Sequence, residues 1–167
     1  NGIYSETFPV PEGYIPQVGA KVMSLQEPEK KMSKSDTNAN AVVRMLDEPD
    51  VIMKKFKRAV TDSDSCVRAD ESKPGVTNLM SIYSACTGKS FDEIEREFAG
   101  KGYGDFKMAV GESVVDALRP IQEEYHRILA DKAYLDGVLS QGAEKANYIA
   151  AKMLRKVYKK VGFLSLT

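Results

Sequence analysis

One periodicity constrains this chain more than anything else in it. Phe106, Val110, Val114, Ala117, Leu118, Ile121, Tyr125, Ile128 and Leu129 recur every three or four residues, the spacing of a long helix with a single apolar stripe. Pro120 lies inside the stripe and predicts a kink rather than a break. Shorter signals of the same kind surround it. After Lys73, Pro74 and Gly75, the residues Leu79, Ile82, Tyr83 and Cys86 share a helical face, and Gly88 stops it. Ser90 and Glu93 have the spacing of a reciprocal helix cap, opening a short helix through Ile94 and Phe98 to Gly100. Leu135, Val138 and Leu139 predict another short helix ending near Gly142. A last amphipathic helix runs from Ala146 to Val161, stopped by Gly162. From Pro74 onward the pattern is helical with short connections, so residues 61–167 are expected to form a helical bundle.

The first third reads differently. Between Asn1 and Gln17 stand Pro9, Pro11, Gly13 and Pro16, a density that favours turns and extended backbone. Gly19 and Ala20 lead into Lys21–Leu25, read as a short strand closed by Pro28. A lysine-rich loop follows, and Val42, Val43, Met45 and Leu46 make a second brief apolar run, also read as strand. Asp47 is the expected N-cap of a helix over 48–59, with Pro49 in its first turn. Two strands make no stable sheet. The economical explanation is that residues 1–60 close a larger α/β domain that begins before this chain does.

Composition narrows the function classes. No stretch approaches the roughly 20 unbroken apolar residues of a membrane span, and the N-terminus lacks the basic-then-apolar order of a signal peptide. Cys66 and Cys86 are too few for a disulfide framework or a zinc site, which fits a cytoplasmic protein. One histidine, His126, excludes any scheme needing two imidazoles from this chain; it stands beside the stripe and is expected in solvent. Lys+Arg and Asp+Glu are both 24, but the charge is uneven. From Phe91 to Glu124 there are nine acids against four bases, whereas from Glu144 onward one acid faces Lys145, Lys152, Arg155, Lys156, Lys159 and Lys160. The last helix is a basic stripe. Such a stripe suits RNA phosphate, and cations there also complement the negative helix end, so both uses stay open.

The chemistry concentrates at Lys30, Lys31, Met32, Ser33, Lys34, Ser35 and Asp36. Three ammonium groups and two hydroxyls in six residues make a donor-rich cationic loop suited to polyphosphate. Other features reduce to structure. Gly100, Gly102 and Gly104 lack the third glycine of a dinucleotide fingerprint and read as a turn into the long helix. Asp62 and Asp64 read as turn caps, Cys86 as core and Cys66 as an incidental loop thiol.

The order Lys-Met-Ser-Lys-Ser at 31–35 is the signature loop of the class I aminoacyl-tRNA synthetases. Gly19–Leu25, Lys73–Leu79, Gly100–Phe106, Arg119–Tyr125 and Gly142–Asn147 all resemble segments of bacterial tryptophanyl-tRNA synthetases, in order and over nearly the whole chain. The tyrosine-specific enzymes are the nearest alternative. A free-standing helical RNA-binding module that kept the loop without catalysis is the alternative of a different class.

The resemblance implies a mainly α chain. Residues 1–60 would end a Rossmann-type nucleotide-binding catalytic domain, and 61–167 would be the helical domain that approaches the tRNA anticodon. Lys31 and Lys34 would hold the pyrophosphate leaving group of ATP, which arrives with Mg2+ and no protein ligand assigned here. Ser33 and Ser35 would donate hydroxyls, while the main chains of Met32 and Val22 would border adenine. Lys152, Arg155, Lys156, Lys159 and Lys160 would face tRNA(Trp). The family's second signature, His-x-Gly-His or His-x-Gly-Asn, is absent, because Arg127 and Ile128 follow His126. The chain is therefore expected to be a C-terminal fragment of a cytoplasmic homodimeric ligase, and alone to neither activate tryptophan nor charge tRNA.

Overall fold

The computed structural model describes residues 1–164 apart from Gln17, Val18 and Ala20. The readings that touched Gln17 and Ala20 therefore lie outside the described residues. Among the described residues five helices follow in order: α1 (Pro49–Lys57), α2 (Pro74–Thr87), α3 (Phe91–Glu97), α4 (Tyr103–Ala130) and α5 (Lys132–Val161). The chain divides into two compact units, Ile15–Glu124 and a second made of Asn1–Tyr14 with Tyr125–Thr167.

Local chemistry accounts for the helix ends. Pro49 and Pro74 open α1 and α2 from the first turn, where a missing N–H costs no helical bond. Ser90 and Glu93 form the expected reciprocal cap on α3, with the Ser90 N–H donating to the Glu93 carboxylate at 2.8 Å. Gly88 and Gly162 end α2 and α5 in the left-handed region. The long stripe gives one unbroken helix, α4, which continues through Pro120.

Among its described residues, Ile15–Glu124 holds one apolar core. Ile52 and Phe56 of α1, Val76, Leu79 and Met80 of α2, Ile94 of α3, and Phe106 and Val110 of α4 are all essentially inaccessible to water. Each buried side chain of this size stabilises the fold by about 1.5–3 kcal/mol. Tyr83, Phe98 and Phe106 meet edge to face, with ring centroids 4.9 to 6.2 Å apart. Leu25 belongs to the same core, so the segment before the cationic loop is anchored among the helices.

In the other unit, α5 buries none of its residues fully. The lead-in is tied locally, the Asn1 carboxamide accepting from the Thr7 and Phe8 N–H groups at 2.9 and 3.0 Å.

Four expectations are corrected. Among the described residues neither apolar run of the first third is a strand; an isolated antiparallel bridge between Met23 and Lys31 is what remains. Side chains take backbone groups of Val42, Arg44 and Met45 that a neighbouring strand would otherwise take. Lys55 Nζ donates to the Val42 carbonyl at 2.7 Å, and Gln122 Nε2 to that of Met45 at 2.7 Å. Asp47 does not cap α1; its carboxylate takes the Arg44 N–H and the Lys55 ammonium, and Glu48 holds the cap position with no side-chain bond. Gly142 ends nothing, since α5 runs unbroken through it among good helix formers such as Ala143, Glu144 and Lys145. Cys86 is exposed: it shares the face of Ile82 and Tyr83 but lies in the last turn of α2, where residues 85–88 are all exposed.

Candidate functional site

The cationic loop runs out of the return arm of a tight hairpin. Its base is stitched by Met32 N–H to the Val22 carbonyl at 3.0 Å and Ser24 N–H to the Lys30 carbonyl at 2.8 Å. A turn closes where Lys30 N–H reaches the Glu27 carbonyl at 2.8 Å. Beyond the base, Asp36 N–H donates to the Ser33 carbonyl and the Ser33 and Ser35 hydroxyls lie 3.0 Å apart. The loop then descends through Asp36 and Asn38, each carboxylate or amide oxygen accepting the N–H two residues on.

The three lysines divide. Lys30 pairs with Glu27, and the Glu27 hydrogen bond and charge raise the ammonium's pKa above the ordinary lysine value. Lys31 and Lys34 are exposed and have no ion-pair partner among the described residues. Two cations therefore stand unneutralised where the chain leaves the hairpin, beside the hydroxyls of Ser33 and Ser35. That set can receive a polyphosphate. Val22 and Met32 use the carbonyl of the first and the N–H of the second on each other. The Val22 N–H and the Met32 carbonyl have no backbone partner among the described residues.

In an extended segment, successive residues point their backbone groups to opposite edges. Val22 and Ser24 face the returning loop, so Met23 faces the other way. There it meets Asn78 of α2, buried in the core. The Met23 N–H donates to Asn78 Oδ1 at 2.9 Å, and Asn78 Nδ2 donates to the Met23 carbonyl at 2.9 Å. Leu25 on the same edge accepts from the Val60 N–H at 2.8 Å and donates to the Ala41 carbonyl at 3.1 Å. Sequence reading missed Asn78. The available signal was a polar residue four positions before Ile82, on the apolar face of α2.

Asp62 and Asp64 do more than cap turns. The Tyr103 hydroxyl donates to Asp62 at 2.8 Å, and the buried ammonium of Lys73 pairs with Asp64 while donating to the Cys66 carbonyl at 3.2 Å. The bond to Asp64 raises the lysine's pKa, and its counterpart from Lys73 lowers that of the aspartate. This network clamps the 61–72 loop on α2 and α4. A groove of about 410 Å3, lined by Cys66, Val67, Arg68, Phe98, Gly100 and Lys101 among others, contains none of the loop residues 30–36. His126 is exposed, and Gly102 leads directly into α4.

On α5, Lys152, Arg155, Lys156 and Lys159 are exposed at helical spacing. Lys160 is engaged, its ammonium donating to the Ser5 hydroxyl at 2.7 Å and the Glu6 carbonyl at 2.5 Å.

The family model described as tRNA synthetases class I (W and Y) matches residues 2–119. The chain belongs to this family. Among relatives of this class I synthetase chain, the tryptophan–tRNA ligase of Oceanobacillus iheyensis is 53% identical over 163 residues, which is 97% of this chain and 50% of that protein. That of Clostridium acetobutylicum is 51% identical over 98% of this chain and 49% of its own length. A crystal structure of tryptophanyl-tRNA synthetase from Mycoplasma pneumoniae superposes with a TM-score of 0.76 at 32% identity, covering 87% of this chain and 46% of that one. The Campylobacter jejuni enzyme, complexed with ADP and tryptophan, gives 0.68 at 26% identity, covering 98% and 50%. The chain thus spans about half the length of the curated relatives it matches. No helix of the described residues is long and apolar enough to cross a membrane.

Proposed function

We propose that this class I synthetase chain is part of a tryptophan–tRNA ligase, which activates tryptophan with ATP and transfers it to tRNA(Trp). Residues 1–60 end its Rossmann-type nucleotide-binding domain, and residues 61–167 form its helical tRNA-binding domain. The full-length enzyme works in the cytoplasm as a homodimer. The observation that carries the reading is the loop leaving the hairpin, where Lys31 and Lys34 stand unpaired while Lys30 is held by Glu27. About 50% identity to proteins named as tryptophan–tRNA ligases supports tryptophan over tyrosine.

The chemistry follows from charge. A tryptophan carboxylate oxygen attacks the α-phosphorus of ATP, a P–O bond forms, and the bond to the bridging oxygen breaks, releasing pyrophosphate. Negative charge grows on the leaving oxygens, and catalysis of such a transfer is mainly positioning and cationic stabilisation. Lys31 and Lys34 supply that stabilisation, and Ser33 and Ser35 add hydroxyl donors. The main chains of Val22 and Met32 border adenine, through the groups left over from their mutual hydrogen bond. Mg2+ arrives with ATP as part of the substrate.

The test is ATP–pyrophosphate exchange by the full-length enzyme with tryptophan or tyrosine. Exchange is expected with tryptophan, and Lys31→Ala or Lys34→Ala should lower its rate by about a hundredfold or more with tryptophan affinity nearly unchanged. An unchanged rate in both variants would remove the loop from the mechanism, and exchange with tyrosine alone would reassign the substrate.

A further inference from the structure

We propose that Asn78 is a positioning residue for the ATP loop, acting from α2 on Met23 and through the Met23–Lys31 bridge on the Lys31 ammonium. The inference rests on the activation chemistry assigned above to Lys31. Met23 is the residue whose backbone faces away from the loop, and an edge left open there would let the hairpin slide or twist. Asn78 closes it with two hydrogen bonds of 2.9 Å from one carboxamide, one donated and one accepted. A side chain thereby takes the place of a neighbouring strand, offering the same donor and acceptor pair that a ladder would.

Three features make this more than packing. Asn78 is 5% exposed and its amide has both ends used, so the group cannot rotate to another partner without leaving Met23 unsatisfied. It sits on α2 between Gly75 and Leu79, where the backbone is itself fixed. A Cβ at Gly75 would lie 2.3 Å from the Val60 carbonyl oxygen, and Val60 in turn donates to Leu25. Finally, the bonded residue is the bridge partner of Lys31 itself. A shift of Met23 moves the base of the residue whose ammonium meets pyrophosphate. Displacement of a positioning group by about 1 Å can cost a hundredfold in rate. Asn78 therefore also joins the helical part that faces tRNA to the loop that faces ATP.

The experiment uses the full-length enzyme in ATP–pyrophosphate exchange, with Asn78→Ala, Lys31→Ala, the double variant, and Val110→Ala as a core substitution that lowers Tm away from the loop. Asn78→Ala is expected to lower kcat/KM for ATP by about ten- to a hundredfold, with KM for tryptophan within about twofold. Val110→Ala should leave both parameters in place well below its Tm. Because Asn78 acts through Lys31, the double variant should be little worse than Lys31→Ala alone. Equal loss of ATP and tryptophan parameters, the same loss in Val110→Ala, or additive effects of Asn78→Ala and Lys31→Ala would each overturn the inference. Absence of exchange in the unmutated enzyme would instead overturn the tryptophan reading, and this inference with it.

Discussion

At the scale of single residues, side chains carry backbone groups that a sheet would otherwise carry. Lys55 shows what that costs. Its side chain is 8% exposed, and its ammonium bridges the Val42 carbonyl and the Asp47 carboxylate, itself 14% exposed. Burial pushes the Asp47 carboxyl up, but the Lys55 hydrogen bond, the Arg44 N–H and the nearby cations outweigh it, and the net pKa falls below the ordinary value. A depressed carboxylate pKa stabilises the fold above the unfolded value of about 4, and that contribution is lost as pH falls through the folded value. Lys55→Met should cost about 3–5 kcal/mol at pH 7, because it leaves the buried Asp47 carboxylate without its ammonium partner and the Val42 carbonyl without its donor. Burial of Asp47 is then opposed only by the Arg44 N–H and charge, so its pKa rises relative to the parent and acid should relieve the variant. Urea unfolding at pH 7 and near pH 4 checks this; a deficit that does not shrink at the lower pH would mean the pair is solvated.

At the scale of elements, α2, α3 and α4 were legible because their signals are local. A proline in a first turn, a Ser–Glu pair three apart, and a stripe of nine apolar positions each act within a few residues. What failed to be legible is set by distance. The runs at 21–25 and 42–46 have strand composition, yet their partners include the side chains of Asn78, Lys55 and Gln122, up to 77 residues away. The candidate loop was legible as a motif; the division of its lysines was not, since it depends on the turn that brings Glu27 to Lys30. Gly142 failed for another reason. A glycine is a helix stop only where the backbone turns left-handed, and sequence shows the residue without its φ. Two substitutions in α5 separate these cases. Gly162 has φ +78°, so Gly162→Ala should lower stability by about 1 kcal/mol. Gly142 is interior with no atom within 4 Å of an added Cβ, so Gly142→Ala should raise stability by about 0.8–1 kcal/mol. Opposite signs in thermal unfolding would establish one continuous helix; destabilisation by both would restore a break at Gly142.

At the scale of the whole chain, zero net charge conceals a division of labour. In Ile15–Glu124, Leu25, Ile52 and Phe56 share one core with Val76, Leu79, Phe106 and Val110, so the proposed functional boundary near residue 60 is not a packing boundary. The acids of 91–124 lie in this unit, and the basic stripe lies on α5 in the other. Lys159 and Lys160 occupy the last turn of α5, where a cation also complements the helix end. Lys160 is held by Ser5 and Glu6, which leaves Lys152, Arg155, Lys156 and Lys159 for the proposed contact with RNA phosphate. Each phosphate contact releases counterions and adds about 0.7–0.9 to the slope of log K against log salt. Changing Lys152, Lys156 and Lys159 together to Gln in the full-length enzyme should therefore flatten the salt dependence of tRNA(Trp) binding. Lys160→Gln should leave the slope in place, because its ammonium is already engaged. A slope unmoved by the triple change would confine these lysines to stabilising the end of α5 and place the phosphate contacts elsewhere on the molecule.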